Sequence, residues 1–179
     1  LVNINNNELT NSELSLGIIY IVRDPRDVVI SYSKFRDLSL DKTIDQLISK
    51  KLTYVQDKNN PLDIEVIGSW NFNYTSWENG VPKIPRIIVK YEDLVDDCYS
   101  TFTKIIEFLS KLIIFKTDNQ KIKTCVKLSN FEKLKEYEET YTFKENKGAE
   151  RFFKTGKYNN WKGVLNNNLL KKIEDNLYS

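Results

Sequence analysis

The sequence predicts an α/β fold: a central parallel sheet with helices packed over its faces. Two observations lead there. The first is a pair of short apolar runs rich in β-branched residues, Gly17-Ile18-Ile19-Tyr20-Ile21-Val22 and Arg86-Ile87-Ile88-Val89-Lys90-Tyr91, each leading directly into a helical pattern. The second is the spacing between them. Strands that alternate with helices of this length indicate parallel pairing, because a parallel connection needs a crossover that a helix normally supplies.

The elements follow in order. Residues 1–16 are polar and rich in asparagine, and they predict a loop or a poorly ordered lead-in. Residues 17–22 carry no charge, which predicts a strand buried on both faces. Arg23-Asp24-Pro25-Arg26-Asp27 ends it. Pro25 suits the first helical turn, where its missing N–H costs nothing, and Asp24 stands at the N-cap. Asp27 adds negative charge to the positive end of the helix. Val28, Tyr32 and Phe35 fall on one face at helical spacing, which predicts a helix after the turn.

A second helix is expected over roughly 40–55, with Ile44, Leu47, Ile48 and Leu52 on its apolar stripe, and Asn59-Asn60-Pro61 is a break. A third helix is expected from Val66 to Trp77, where Trp70, Tyr74 and Trp77 recur at helical spacing and read as core rather than as a stacking platform. Asn79-Gly80-Val81-Pro82 stops it. After the second strand, Glu92-Asp93 leads to a long helix near Asp97–Lys111 with Phe102, Ile105, Ile106 and Leu109 inward. Helices at Gln120–Leu128, Phe131–Glu139 and Asn167–Tyr178 complete the chain, and residues 140–164 read as irregular, basic and aromatic.

Composition narrows the function. The 27 Lys and Arg nearly balance the 25 Asp and Glu, and the net charge of +2 gives no global field to recruit nucleic acid or an anionic membrane. No apolar run approaches the ~20 residues of a membrane span. Two cysteines, Cys98 and Cys125, make no disulfide framework, and no Cys/His cluster suggests zinc. There is no histidine, so the chain holds no catalytic triad, imidazole base or histidine metal site. There is no methionine, so Leu1 is not expected to be a translation start, and the chain reads as a fragment or a processed piece.

In open α/β sheets, ligands bind beyond the carboxyl ends of the strands. Two places fit. At the end of the first strand, Arg23 and a fresh helix N-terminus combine a guanidinium, a helix dipole and terminal N–H groups, which suits a phosphate, and Ser31 two turns along adds a hydroxyl. A salt-bridged strand–helix corner is the plain alternative. At the end of the second strand stands Tyr91-Glu92-Asp93, which also reads as a helix cap. A third feature is the stretch Lys144–Lys162, where Lys144, Lys147, Arg151, Lys154, Lys157 and Lys162 face only Glu145 and Glu150, with aromatic residues between them. It reads either as a solvated flexible loop or as a site for single-stranded nucleic acid, and the small net charge and the shortness of the patch argue against the second; Gly156 allows close backbone approach.

These residues resemble a known family. Ile19-Tyr20-Ile21-Val22-Arg23-Asp24-Pro25-Arg26-Asp27-Val28-Val29-Ile30-Ser31-Tyr32 is similar to the signature of sulfotransferases of the cytosolic type, which use 3′-phosphoadenylyl sulfate (PAPS). Further segments follow in the family's order: Gly68-Ser69-Trp70, Lys90-Tyr91-Glu92-Asp93-Leu94, Ser129-Asn130-Phe131, Phe152-Phe153-Lys154-Thr155-Gly156 and Trp161-Lys162. The resemblance runs from Gly17 nearly to the end and implies a three-layer fold like that of P-loop nucleotide hydrolases. Residues 17–179 are then the C-terminal part of one sulfotransferase domain, with the N-terminal part of its sheet missing.

The resemblance also implies roles. Arg23 and Ser31 match ligands of the cofactor's 3′-phosphate, and Tyr91, Ser129 and Phe131 match positions beside the adenine. Lys154, Thr155 and Gly156 match a loop that closes over the same phosphate. The implied ligand is PAPS or adenosine 3′,5′-bisphosphate, without a metal. The implied acceptor is a small molecule or glycan bearing a hydroxyl or amine, and the implied location is the cytoplasm. Two departures stand out: the family's Arg-Lys-Gly is Lys154-Thr155-Gly156, which loses a bidentate fork and one charge, and its Gly-Asp before tryptophan is Asn159-Asn160. The family's phosphosulfate-binding lysine loop and catalytic histidine lie upstream of the matching segments and are not in this sequence. A fragment of an active enzyme and a non-catalytic nucleotide-binding module therefore both fit. A P-loop kinase offers no account of the later motifs.

Overall fold

The computed structural model describes residues 3–4, 7–8, 10–51, 53–55, 64–66, 68–79, 83–141, 153 and 155–177. The chain forms two compact units, Leu1–Ile88 with Asn160–Ser179, and Val89–Asn159.

The first unit contains most of the strands. β1 (Asn3–Ile4) and β2 (Asn7–Glu8) pair antiparallel, with Asn3 opposite Glu8, so the polar lead-in includes a short ladder where a loop was expected. β3 (Ile18–Val22) lies beside β6 (Arg86–Lys90) in the parallel sheet that the sequence predicts, and the Ile18 N–H donates to the Pro85 carbonyl at 2.9 Å. The expectation that β3 is buried on both faces is corrected. Ile18 is buried against Ile84 and Trp77, but Ile19 and Ile21 are 41% and 57% exposed. Alternate side chains of a strand point to opposite faces, so packing against one face leaves every second residue in solvent.

α1 (Pro25–Arg36) starts as predicted, with Asp24 at its N-cap and Pro25 in its first turn. Its buried side is not the face that carries Val28, Tyr32 and Phe35. Pro25, Asp27, Val29, Ile30 and Ser33 are buried, while Phe35 is exposed and stacks on Tyr32 at 6.4 Å. α2 (Leu40–Ile48) is shorter than expected. Beyond it, β4 (Thr53–Val55) pairs antiparallel with β5 (Ile64–Val66), in place of the end of one expected helix and the start of the next. Thr53, Tyr54 and Val55 all favour extended backbone, and that local preference overrides the helical spacing. Leu52 and the break at 59–61 lie outside the described residues.

α3 (Trp70–Asn79) shows why the Gly-Ser-Trp segment has its composition. Gly68 has φ +68°, and a Cβ there would stand 2.9 Å from the Phe72 ring. Ser69 accepts from the Phe72 N–H at 3.1 Å and so caps the helix. At the other end the Arg86 guanidinium donates to the Trp77 carbonyl at 2.9 Å and also to that of Glu78, which satisfies terminal acceptors and complements the helix dipole. The Tyr20 hydroxyl donates to Asn73 Oδ1 at 2.8 Å and ties β3 to α3.

α8 (Asn167–Leu177) closes this unit. Val29, Ile30, Ile44, Leu165, Ile173 and Leu177 form its main core, with Trp70 and Trp161 packed on the edge. Trp70 and Trp77 therefore act as packing residues, as the sequence suggests. Burying each of the fully enclosed aliphatic side chains contributes about 1.5–3 kcal/mol. At the surface, Lys172 of α8 ion-pairs with Asp41 and Asp45 of α2, at 2.8 and 2.6 Å.

The second unit is helical: α4 (Tyr91–Asp96), α5 (Cys98–Ser110), α6 (Asn119–Leu128) and α7 (Phe131–Thr140). Asp97, Asp118 and Asn130 cap α5, α6 and α7 through their side chains. Thr101 and Ile105 are the buried residues of α5, and the other three positions expected inward are partly buried.

Candidate functional site

The corner between β3 and α1 is built around Asp24. Its Oδ1 accepts from the Arg26 N–H at 2.9 Å, and Arg26 Nη2 reaches its Oδ2 at 2.6 Å. The Arg26 guanidinium also lies 4.1 Å above the Trp161 ring. Asp27 is 1% exposed, and its Oδ1 accepts from the Trp161 N–H at 3.2 Å. A salt-bridged corner, foreseen as an alternative, is thus present, and Arg26 with Asp24 forms part of it. The Arg26 amide is already bonded to Asp24, so this end of α1 offers fewer N–H groups than a bare helix terminus.

Arg23 follows β3 directly and is half-buried. Ser31 is exposed on α1, and its hydroxyl donates to the Val28 carbonyl at 3.1 Å, leaving its oxygen able to accept. Both belong to the first unit.

The other described candidates belong to the second unit. Tyr91 is half-buried and opens α4. Ser129 is exposed at the C-cap of α6, where its N–H donates to the Cys125 carbonyl at 2.9 Å. Phe131, two residues on, is the first residue of α7. The Phe153 ring meets it edge-on at 6.3 Å, and Lys135 Nζ lies 4.9 Å from its centre. Gly156 packs directly against it: φ is +59°, and a Cβ would fall 2.5 Å from Phe131 Cγ and Cδ2. Thr155 is exposed, and Lys154 lies outside the described residues.

Hydrogen bonds to Glu138 and Asp96 hold the segment around Gly156. The Phe153 N–H donates to Glu138 Oε2 at 2.9 Å, and the Tyr158 hydroxyl donates to both Asp96 oxygens at 2.9 and 3.1 Å. The hydrogen bond to Asp96, then its negative charge, raises the Tyr158 phenol above its ordinary pKa of 10.0, because ionisation would remove the donor and set two anions together.

The structure therefore brings Phe131 and Gly156 together and sets Arg23 and Ser31 on one strand–helix unit. Sequence reasoning missed the partners that fix these elements. Asp27 was visible only as a charge near a helix start, and no local spacing links Asp96 to Tyr158 or Glu138 to Phe153. Among the described residues, no cluster of three or more His, Cys, Asp and Glu is placed to hold a metal ion, and no helix is long and apolar enough to cross a membrane.

A strand-turn-helix corner after a parallel strand, with helices packed on the sheet, defines an α/β protein. Comparison with known proteins makes this specific: the sulfotransferase domain family matches residues 7–177, and the chain belongs to that family. It is 33% identical over 122 residues to sulfotransferase 2A1 of Rattus norvegicus, covering 66% of this chain and 39% of that protein. It is 27% identical over 181 residues to luciferin sulfotransferase of Photinus pyralis, covering 94% of this chain and 45% of that protein. The chain thus spans less than half the length of these relatives. Among solved structures, mouse sulfotransferase SULT7A1 complexed with PAP is similar over 89% of this chain and 56% of its own, with a TM-score of 0.63 and 19% identity. Retinol dehydratase with androsterone and inactive cofactor PAP is similar over 90% of this chain and 47% of its own, at a TM-score of 0.61 and 19% identity. At these identities the structural likeness establishes the fold.

Proposed function

We propose that this chain is the part of a PAPS-dependent sulfotransferase that recognises the 3′-phosphate and adenine of the cofactor. The observation that carries the proposal is Arg23 at the end of β3, inside the long segment Ile19–Tyr32 that resembles the family's phosphate-binding signature. Arg23 supplies a guanidinium fork and Ser31 an acceptor and donor hydroxyl to the phosphate. Lys154, Thr155 and Gly156 provide the second group of phosphate contacts, and Tyr91, Ser129 and Phe131 flank the base. The chemical character of the residues fits such a ligand: a half-buried cation for the phosphate, and a partly enclosed aromatic ring for the purine.

When bound, PAPS supplies the sulfuryl group that passes to a hydroxyl or amine. Relatives of this chain are named for 3-hydroxysteroids, amines and luciferin, which supports a small-molecule acceptor. The chain contains no histidine, so its own residues include no imidazole to take a proton from the acceptor. We therefore expect these 179 residues alone to bind nucleotide without sulfating an acceptor. That composition, with Thr155 in place of a lysine, also favours a second reading, a nucleotide-binding module without catalysis.

Calorimetric titration with adenosine 3′,5′-bisphosphate and with 5′-AMP tests the proposal. A charge-assisted phosphate contact is worth roughly 1.5–3 kcal/mol, so the bisphosphate should bind at least about tenfold tighter, and Arg23→Ala should remove most of that preference. Equal binding of both nucleotides, or a preference indifferent to Arg23→Ala, overturns the assignment. PAPS-dependent sulfation by the purified chain would overturn the expectation of inactivity and with it the second reading.

A further inference from the structure

Asp27 is a buried carboxylate that neither the phosphate assignment nor the helix start accounts for. An exposed acid would serve the dipole of α1 equally well, and burying a carboxylate is costly unless it is bonded. Here the side chain is 1% exposed and accepts from the backbone N–H of Trp161, 134 residues away in sequence. Arg26, next to it, lies over the Trp161 ring at 4.1 Å. Its guanidinium is held in place by Asp24, with Nε 3.0 Å from Oδ1 and Nη2 2.6 Å from Oδ2. Trp161 is thus gripped twice, by a hydrogen bond to its backbone and by a cation on its ring. Both grips come from the two residues between Pro25 and Val28, on the corner that carries Arg23.

Trp161 is five residues beyond Gly156, at the end of the segment that contains Lys154, Thr155 and Gly156. The start of that segment is held by Phe153 on Glu138, and its middle by Tyr158 on Asp96. Trp161 follows its far end in sequence. We propose that Asp27 and Arg26 are positioning residues: by holding Trp161 they fix the C-terminal end of the loop 153–160 and so set its contribution to 3′-phosphate recognition. This rests on the proposed function and adds to it a role for two residues that do not themselves touch the nucleotide. An anchored loop loses less freedom when the ligand arrives, so anchoring shows as affinity for the group the loop recognises.

The test uses the full chain with Asp27→Ala, Asp27→Asn and Arg26→Leu. One readout is amide hydrogen exchange of a peptide covering 157–163, with the α8 peptide as internal reference. The other is the ratio of affinities for adenosine 3′,5′-bisphosphate and 5′-AMP. Asp27→Ala should speed exchange in 157–163 while α8 stays protected, and should lower the affinity ratio about fivefold with 5′-AMP binding unchanged. Asp27→Asn keeps an oxygen acceptor for the Trp161 N–H and should restore both readouts to within about twofold. Arg26→Leu, at a partly exposed position, should lower the ratio in the same direction and carries the test should Asp27→Ala fail to fold. A ratio that stays unchanged in the folded variants, or a loss shared equally by both nucleotides, overturns the inference. If the unaltered chain does not prefer the bisphosphate, the functional reading falls and this inference with it. If it does prefer it while the variants leave the ratio unmoved, only the inference falls.

Discussion

Gly156 lies flat against the ring of Phe131, so closely that a Cβ at Gly156 would stand 2.5 Å from ring carbons Cγ and Cδ2. Two constraints therefore meet at one residue. The backbone is left-handed, with φ +59°, and the space a side chain needs is already filled. A glycine in a basic, aromatic loop is compatible with simple flexibility. Here it serves contact instead, since it lets the loop backbone rest on the first residue of α7.

Gly156→Ala should accordingly cost more than an ordinary glycine replacement. The left-handed conformation alone costs about 1–2 kcal/mol for a residue with a Cβ, and displacement of the Phe131 ring adds to it. In a Phe131→Ala background the second part should vanish while the first remains. A double-mutant cycle in urea unfolding measures the difference. Additive costs would mean that the ring is not what confines Gly156.

Asp24→Ala removes both the N-cap of α1 and the carboxylate that holds Arg26. The cap alone is worth about 1 kcal/mol. Asp24→Asn should keep most of that cap, since asparagine accepts the Arg26 N–H equally well, but lose the ion pair. Urea denaturation should thus rank the unaltered chain above Asp24→Asn and Asp24→Asn above Asp24→Ala. Equal stability of the two variants would show that the Arg26 ion pair, rather than the cap, supplies the stabilisation.

The corner at Arg23–Asp27 was legible in the sequence because its signals are local. A charge-free run ends at Arg23, proline fits only the first turn, and aspartate is a strong N-cap, so strand, turn and helix follow within eight residues. The inward face of α1 was not legible. Val28, Tyr32 and Phe35 share one face and Val29, Ile30 and Ser33 another, and what lies opposite decides between them. The β4–β5 pair was hidden because the apolar stripe of α2, Ile44, Leu47 and Ile48, continues in sequence to Leu52, which carried the expected helix on to 55. At the candidate site, residue types announced Arg23, Ser31 and Gly156. Asp27, Glu138 and Asp96 act through partners distant in the chain, and no spacing rule reaches those.

The Tyr158–Asp96 hydrogen bond gives the loop a dependence on alkaline pH. The raised phenol favours its neutral, donating form in the folded chain. Its contribution is complete below the ordinary tyrosine value of 10.0 and is lost as pH rises through the higher folded value. A difference absorbance titration between the unaltered chain and Tyr158→Phe should show one phenol ionising above 10.0. Tyr158→Asp, which places a carboxylate against Asp96, should mimic the ionised state at neutral pH and loosen the segment in hydrogen exchange. A phenol that ionises at or below 10.0 in the difference titration would mean that the Asp96 contact does not persist in solution.

Thr155 tests the phosphate assignment by gain rather than loss. It is exposed beside Gly156, where the resembling family has a lysine, so Thr155→Lys adds a cation without disturbing packing. If Lys154, Thr155 and Gly156 contact the 3′-phosphate, the added charge should tighten adenosine 3′,5′-bisphosphate several-fold, by up to the ~1 kcal/mol of an exposed ion pair, and leave 5′-AMP nearly unchanged. The gain should shrink as salt rises, because a solvent-exposed charge pair is screened over about 10 Å at 0.1 M. Thr155→Glu should act in the opposite sense by a similar factor. Charge changes at 155 that move both nucleotides together would point to a general electrostatic effect. Changes that move neither would place the loop away from the phosphate and leave Arg23 and Ser31 as its recognition elements.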